Sequence, residues 1–386
     1  MKFSVLLQAR FWLLAIVVQG TSMQWFAGAE MGYSVAISLV LILSVWLPRL
    51  LTLGQATQPS LLLCAVGTSV LTLLALVMCL YAVVADQSAG LARAGFWLQI
   101  IAVGLSIWQS MSLLSKLQFD VSAGAIDERL QQGVNLLIPA LLGLWIVALW
   151  QLVTVNFAIP HVLLPAPSTV GEALVTSIPT LAADFNQTVI KAVIPGFVLG
   201  NWVGFLVAIL ADRIPFLRRG LLPVGNLVSA IPIVGIAPIM VMWFGFDWQS
   251  KVAVVVIMTF FPMLVNTISG LAQADAMERD LMRSYGATYW QSLVKMRLPN
   301  ALPFVFNALK INSTLALIGA IVAEFFGTPI VGMGFRISTE VGRMNLEMVW
   351  ASIVVAALAG SAFYGLLALL ERRVTFWHAS FRKVAI

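Results

Sequence analysis

Long apolar runs alternate with short polar stretches along most of the chain. About ten runs have the length of 17 to 25 residues that a helix needs to cross a bilayer. They lie near residues 11–27, 31–47, 61–85, 94–115, 133–156, 189–210, 221–244, 250–270, 304–324 and 347–370. This pattern predicts an all-α polytopic membrane protein with about ten transmembrane helices. The first run is the weakest, and a cleaved signal peptide is the alternative interpretation for it, because Lys2 and Arg10 flank its start.

Composition agrees with the hydrophobic pattern. The chain has 386 residues, of which 61% are hydrophobic and 10% are charged, whereas a soluble domain has about 45–50% and about 25%. A soluble globular protein is therefore excluded. The net charge is +6, but no stretch combines clustered Lys and Arg with a polar surface, so no nucleic-acid partner is predicted.

The basic residues are distributed unevenly between alternate loops. If the N-terminus is cytoplasmic, 16 of the 22 Lys and Arg residues lie on the cytoplasmic side, 5 lie outside, and Lys310 lies within a span. Lys and Arg accumulate on the cytoplasmic side of membrane proteins. The bias predicts an even number of spans with both termini in the cytoplasm.

A polar stretch at 116–132 divides the chain into two unequal parts. Residues 1–130 form an extension of about four spans that are almost free of ionisable residues. Residues 131–386 hold about six spans, which are interrupted by Pro195, Pro232, Pro238, Pro262, Pro299 and Pro303. Helix breakers at membrane depth require neighbouring protein or a water-filled cavity. We therefore expect the second part to move during function and the first part to act as scaffold.

The longest polar loop of the second part, residues 271–303, is too polar to cross a membrane. Its sequence predicts a short helix over 280–284, a break at Gly286 and a second helix over 289–296 that Leu298-Pro299 ends. Such a helix pair suits a rigid docking element at the cytoplasmic end of a bundle. A solvated loop without a partner is the alternative.

The spacing Asp280-x5-Gly286-Ala287-x10-Leu298-Pro299 resembles the coupling loop of ABC importer permeases. In that family, the helix before the glycine inserts into a groove of the ATPase subunit. The resemblance assigns ATPase coupling to the following residues of this coupling segment (residues 271–303): Asp280, Leu281, Met282, Arg283, Gly286, Ala287, Leu298 and Pro299. Leu281 and Met282 replace two alanines of the family pattern, which indicates a dedicated ATPase partner.

Two further stretches extend the resemblance over about residues 133–378. Residues 163–174 are similar to the periplasmic Pro-x-Pro-Ser segment of the subfamily that imports nitrate, taurine and sulfonates, and residues 230–246 resemble its proline-broken span. The resemblance implies a type I ABC importer permease core in the bacterial inner membrane. It also implies cytoplasmic ABC ATPase subunits, an extracytoplasmic solute-binding protein and a second permease copy. The solute would be small and polar or anionic, and nitrate, a sulfonate, a pyrimidine and a flavin-like compound all remain open.

The chain lacks the residues that an energy-converting or catalytic subunit needs. It contains no G-x-x-x-x-G-K-[ST] loop for ATP, no Cys/His cluster for a metal and no serine-histidine-acid set. We therefore predict a transport subunit without a cofactor, with ATP bound by the partner. An ion-gradient-driven secondary transporter is the alternative, although it would need more intramembrane acidic residues. A membrane-embedded enzyme would need a convergent catalytic set.

Polar residues within the predicted spans are few, and each is costly unless it faces protein or water. The candidates for a translocation path are Asn266, Asn307, Lys310, Asn312, Thr314 and Glu324. Lys310 either reaches the cytoplasmic interface with its long side chain or lines the path and contacts an anionic solute. Glu324 either caps an outer gate, pairs with Arg336 or Arg343, or is a simple interfacial carboxylate.

Overall fold

A computed structural model of the protein describes residues 37–44, 58–85, 94–117, 125–229, 231–327 and 329–377. These ranges are largely helical and contain no β-strand. The all-α fold predicted from the sequence is thereby confirmed. Contacts within the chain divide it into two compact units, Met1–Thr169 and Val170–Ile386.

The first unit contains a helical stretch at 37–44 and three longer helices: α1 (Gln58–Ala85), α2 (Ala94–Leu114) and α3 (Ala125–Asn156). Helix α1 packs against α2, and both contact α3. Their shared core is apolar and includes Leu41, Ala75, Val103, Leu114 and Leu141. Between these side chains, Ser and Thr hydroxyls such as that of Thr72 donate to carbonyls one turn earlier, which satisfies them in an apolar interior.

The second unit begins at Val170, within helix α4 (Pro167–Thr176), and continues through ten further helices. These are α5 (Ile178–Phe185), α6 (Ile194–Arg213), α7 (Pro215–Ser229), α8 (Ile233–Phe244), α9 (Trp248–Ala272), α10 (Ala276–Ser284), α11 (Tyr289–Ser292), α12 (Leu298–Phe325), α13 (Met333–Gly342) and α14 (Leu346–Val374). Two π-helical turns, Asn186–Val193 and Leu293–Arg297, join α5 to α6 and α11 to α12 without a break.

Helix α9 is the central helix of the second unit and packs against α6 and α12. Gly196, Gly200 and Gly204 recur every four residues on α6 and therefore share one face. A Cβ on Gly196 would lie 2.6 Å from Val255 Cβ, and one on Gly204 would lie 3.2 Å from Met263 Cβ. Small residues let two membrane helices approach closely, so this glycine stripe sets the distance between α6 and α9.

Seven helices within the described residues are long and apolar enough to cross a membrane. They span 62–80, 97–114, 130–156, 178–213, 248–272, 289–325 and 346–374. The predicted span 11–27 lies outside the described residues, and of 31–47 only 37–44 is described. Of the eight remaining predicted spans, seven coincide with these helices and one, 221–244, does not.

That span, 221–244, is not one helix. The structure divides it into α7 with 15 residues and α8 with 12 residues. Ile231 precedes Pro232, and the proline ring disfavours helical geometry in the residue before it. The interruption predicted at Pro232 is therefore confirmed, but the run forms two helices that are each shorter than a membrane crossing and not one span.

Candidate functional site

The coupling segment begins with a surface helix. Helix α10 starts at a capping box, in which the Asp275 backbone N–H donates to Glu278 Oε2 at 3.3 Å. The helix is longer than the predicted 280–284, and none of its nine residues is buried. Leu281 is 54% exposed. A capped helix with exposed apolar side chains suits docking to another protein.

The exposed face of α10 combines apolar and charged groups. Asp280 and Arg283 lie 3.4 Å apart, with side chains that are 73% and 82% exposed, so the pair contributes little to stability. Met282 is only partly exposed. Of the four candidate coupling residues on α10, the structure therefore leaves Asp280, Leu281 and Arg283 free for a partner.

Gly286 ends this helix in a left-handed conformation. Its φ is +65°, and a Cβ placed there would meet nothing within 4 Å. The Gly286 N–H donates to Arg283 O at 2.9 Å, and the Ala287 N–H donates to Met282 O at 3.0 Å. These bonds resemble a Schellman motif, in which glycine provides the left-handed residue. The glycine is needed for its backbone angles and not for close packing.

The second half of the coupling segment differs from the prediction. Leu298-Pro299 does not end a helix, because α11, the turn Leu293–Arg297 and α12 run on continuously. The turn before Pro299 is π-helical, and the Leu298 N–H donates to Leu293 O. A wider turn accommodates a proline that lacks its N–H. Leu298 thus packs at the base of the segment, beside Leu271, Leu293 and Ala301.

Hydrogen bonds of Arg279 and Asn300 attach α10 to the spans. Arg279 donates from Nε to Ala274 O at 3.0 Å and from Nη2 to Ala272 O at 2.5 Å. Asn300 Nδ2, in the first turn of α12, donates to Glu278 Oε2 at 2.7 Å. The coupling helix is therefore connected to the end of α9 and the beginning of α12.

The candidate path residues do not form one cluster within the chain. Asn312 is fully buried, and its Nδ2 donates to Asn201 Oδ1 at 2.6 Å and to Thr259 O at 2.7 Å. It joins α12 to α6 and α9. Within this chain, Asn312 is a contact between three helices and does not lie on a surface.

Asn266, Asn307 and Thr314 lie elsewhere. Asn266 Nδ2 donates to Pro262 O at 2.8 Å, and Asn307 Nδ2 contacts Asn266 Oδ1 at 3.4 Å. Asn307 and Thr314 are exposed, seven residues apart, on a face of α12 that Ile311 and Ile318 share. A role of this face in translocation stays a prediction.

Lys310 forms an ion pair with Glu371, a partner that was not predicted. Its Nζ lies 2.7 Å from Glu371 Oε2, and the two side chains are 20% and 11% exposed. Glu371 lies three residues before the end of α14. The side chain of Lys310 therefore extends toward the end of α14 and joins it to α12.

Glu324 lies in a buried polar network at the end of α12. It is 3% exposed, accepts a hydrogen bond at Oε1 from Thr188 (2.8 Å) and accepts one at Oε2 from the Gly334 N–H (2.7 Å). Thr188 Oγ1 in turn accepts from the Met333 N–H at 2.8 Å. A Cβ on Gly332, whose φ is +141°, would lie 2.8 Å from the Glu324 carboxylate. The carboxylate thus fixes the start of α13 and is not a simple interfacial group.

The neighbouring arginines pair with other acids. Arg336 Nε lies 2.8 Å from Asp184 Oδ2, and the same carboxylate accepts from the Gly332 N–H at 2.8 Å. Arg343 pairs with Glu340 at 3.1 Å. Of the alternatives for Glu324, pairing with Arg336 or Arg343 is therefore contradicted, because Asp184 reaches Arg336 from α5.

A buried lysine joins two loops near this network. Lys251 is 1% exposed, and its Nζ donates to Phe246 O at 2.6 Å, to Asp247 O at 3.1 Å and to Gly327 O. Asp247 accepts a hydrogen bond from Gln187 Nε2 at 3.0 Å. This bond is the main cause that holds the pKa of Asp247 below its usual value. The loop before α9 is thereby tied to the loop after α12.

Comparison with known proteins identifies the family. Residues 200–376 match the model of the binding-protein-dependent transport system inner membrane component. The riboflavin transport system permease protein RibX of Chloroflexus aurantiacus is 30% identical over 232 residues, which are 60% of this chain and 86% of RibX. This chain is an ABC importer permease.

Two further relatives agree. The formylaminopyrimidine transport permease protein ThiX of Halalkalibacterium halodurans is 29% identical over 239 residues, which are 62% of this chain and 95% of ThiX. The taurine transport system permease protein TauC of Escherichia coli is 27% identical over 245 residues, which are 61% of this chain and 85% of TauC. The predicted subfamily is confirmed. The permease is a multi-pass inner-membrane transport component and not an enzyme.

Several residues that hold the permease together were missing from the predicted set. They are Asp184, Thr188, Asp212 and Glu371, each of which contacts a residue that is at least 61 positions away in the chain. In the sequence, only their acidic or hydroxyl side chains within or near apolar runs could have marked them as candidates. The candidate coupling residues could be proposed from the sequence because their spacing is local, and their coupling role stays a prediction. The partners named here depend on how the helices pack.

Proposed function

We propose that this permease is the membrane subunit of an importer that takes up a small polar or anionic solute. A binding protein delivers the solute outside, and cytoplasmic ATPase subunits drive transport through the coupling segment. The observation that carries the proposal is helix α10, which has no buried residue, ends at a left-handed glycine and is connected by polar contacts to α9 and α12.

The positive charges support a cytoplasmic position for this helix. Arg213, Arg218 and Arg219 at the junction of α6 and α7 share the predicted side with the coupling segment. Arg372 and Arg373 end α14 on the same side. This orientation puts both termini in the cytoplasm and puts the Glu324 network at the outer end.

The substrate class follows from the relatives by analogy. Their names refer to riboflavin, a formylaminopyrimidine and taurine, which are all small polar organic compounds. We propose a solute of this kind or a small anion such as nitrate. Two permease copies would enclose the path, and the exposed α12 face with Asn307 and Thr314 is a candidate lining.

Residues 1–130 are proposed to be an extension in front of the permease core 131–386. The family match begins at residue 200. ThiX is covered over 95% of its length by only 62% of this chain. These matches support the proposal that the transport machinery lies in the second part of the chain.

Reconstitution in proteoliposomes tests the function. The permease is purified together with the ATPase that accompanies it, and uptake of labelled taurine, riboflavin, formylaminopyrimidine and nitrate is measured with the binding protein outside. We expect uptake of one of these solutes that requires ATP and persists when ionophores dissipate the H⁺ and Na⁺ gradients. Uptake by the permease alone, driven by an ion gradient, would contradict the proposal and favour a secondary transporter.

A further inference from the structure

A buried carboxylate lies at the base of the coupling segment. Asp212 is the second-last residue of α6, and its side chain is 3% exposed. It accepts two hydrogen bonds from Arg297, Nη1 to Oδ2 at 2.8 Å and Nη2 to Oδ1 at 2.7 Å. Tyr289 Oη donates to Oδ2 at 2.9 Å. A two-pronged Arg–carboxylate pair fixes both distance and orientation.

The same guanidinium also contacts a third helix. Arg297 Nε and Nη2 donate to Leu271 O at 3.1 and 3.0 Å. Leu271 lies one residue before the end of α9, and Arg297 directly precedes α12. One side chain therefore joins the ends of α6 and α9 to the start of α12.

The position of these contacts gives them a specific mechanical role. Helix α10 is held to the end of α9 by Arg279, and the chain returns from α10 through Gly286 to Tyr289. A force on α10 thus reaches the spans through the residues on either side of it. Tyr289 and Arg297 lie on the returning side, and both contact the carboxylate of Asp212.

We propose that Asp212, Tyr289 and Arg297 form a positioning cluster that transfers displacement of the coupling helix to α6, α9 and α12 together. This inference rests on the proposed function, because it assumes that an ATPase moves α10. Without the cluster, α10 can still dock, but its movement is absorbed in the turn Leu293–Arg297 and does not reach α6.

A general loss of stability is the competing explanation, and the chain offers a matched control. Arg336 and Asp184 form another buried Arg–Asp pair, with Arg336 exposed by 17%, the same fraction as Arg297. This pair joins α5 to α13 and contacts no residue of the coupling segment. Asp184→Asn therefore removes an equivalent charge contact elsewhere in the second unit.

The experiment compares Asp212→Asn, Arg297→Lys and Tyr289→Phe with Asp184→Asn in the complete complex. Three quantities are measured: the ATPase subunit recovered per permease, the ratio of solute-stimulated to basal ATP hydrolysis, and the width of the distance distribution between spin labels on α10 and on the cytoplasmic end of α6. We expect Asp212→Asn to retain the ATPase, to lower the ratio about fivefold or more, the lower range of typical coupling effects, and to broaden the distribution.

The other two variants distinguish the contribution of the Arg297–Asp212 geometry from that of the Tyr289 hydroxyl. Arg297→Lys keeps the charge but loses the two-pronged geometry, so its ratio should fall as well. Tyr289→Phe removes one hydroxyl and keeps the ion pair, so it should fold and give a smaller loss.

Two results would overturn the cluster: a wild-type ratio in Asp212→Asn, or equal changes in Asp212→Asn and Asp184→Asn in all three measurements. If the unmodified complex shows no stimulation by solute, the proposed function itself fails. That outcome is distinguishable, because it appears before any variant is made.

Discussion

Gly286 provides the sharpest test of the coupling segment. Its φ of +65° lies in the left-handed region, and a side chain there would contact nothing within 4 Å. The cost of a substitution is therefore conformational and not steric. For a residue with a Cβ, this cost is about 1 to 2 kcal/mol, and a β-branched residue is less tolerant still.

This magnitude predicts a graded series. A penalty of about 1 to 2 kcal/mol corresponds to a factor of about 5 to 30 in the population of the native helix end. Gly286→Asn should be mild, because asparagine tolerates left-handed angles. Gly286→Ala should lower solute-stimulated ATP hydrolysis several-fold, and Gly286→Val should lower it further, because α10 no longer ends where the chain must turn back.

The assay measures stimulated ATP hydrolysis at equal membrane abundance of the permease. Gly220→Ala is the control, since Gly220 lies in α7 with an ordinary helical φ and open space around it. Alanine in a helix interior is favoured over glycine by about 1 kcal/mol, so this control should not impair assembly. Wild-type stimulation in Gly286→Val would refute the reasoning, since it would mean that the left-handed end is not needed.

Three further perturbations test the contacts between the spans. Lys310→Met leaves the Glu371 carboxylate largely buried without its partner. Removing one member of a fully buried ion pair costs about 3–5 kcal/mol, and the 20% exposure of the Lys310 side chain reduces this cost. The thermal midpoint in detergent should fall and should recover in the double variant with Glu371→Met, and absence of recovery would contradict the pair. Glu324→Gln puts an amide where two donors point, at a cost of about 1–3 kcal/mol, and an unchanged midpoint would show that the network is not formed. Gly200→Ala should separate α6 from α9 and lower the thermal midpoint. Gly171→Ala is the control, because a Cβ there would meet nothing within 4 Å, and it should leave the midpoint unchanged. Equal midpoints in the two variants would contradict the role of the glycine stripe.

The sequence by itself determined the elements whose physics is local. A run of about 20 apolar residues forms a helix in a membrane because a helix satisfies its backbone hydrogen bonds within the segment itself, so α9 and α14 were predicted within a few residues. The short surface helix of the coupling segment and the break after it were also predictable, because polarity, glycine and spacing are all read along the chain. The helix end at Gly286 follows from the same local chemistry.

Local rules were wrong where two of them competed. Pro232 was predicted to interrupt one span, yet it separates the run into two helices that are each shorter than a membrane crossing. Pro299 was read as the end of a helix, yet the π-helical turn before it lets the helix continue. At both prolines, the continuation of the helix depends on whether the neighbouring backbone N–H and C=O groups find hydrogen-bond partners. Hydropathy does not contain this information.

Only the tertiary structure decided which polar residues meet. Asp212 and Arg297 are 85 positions apart, and Asp184 and Arg336 are 152 positions apart. Each pair forms because the packing of helices that are distant in the chain brings the two side chains together. Arg336 shows the difference: the sequence offered Glu324 as its partner, but the packing of α5 against α13 brings Asp184 within 2.8 Å instead.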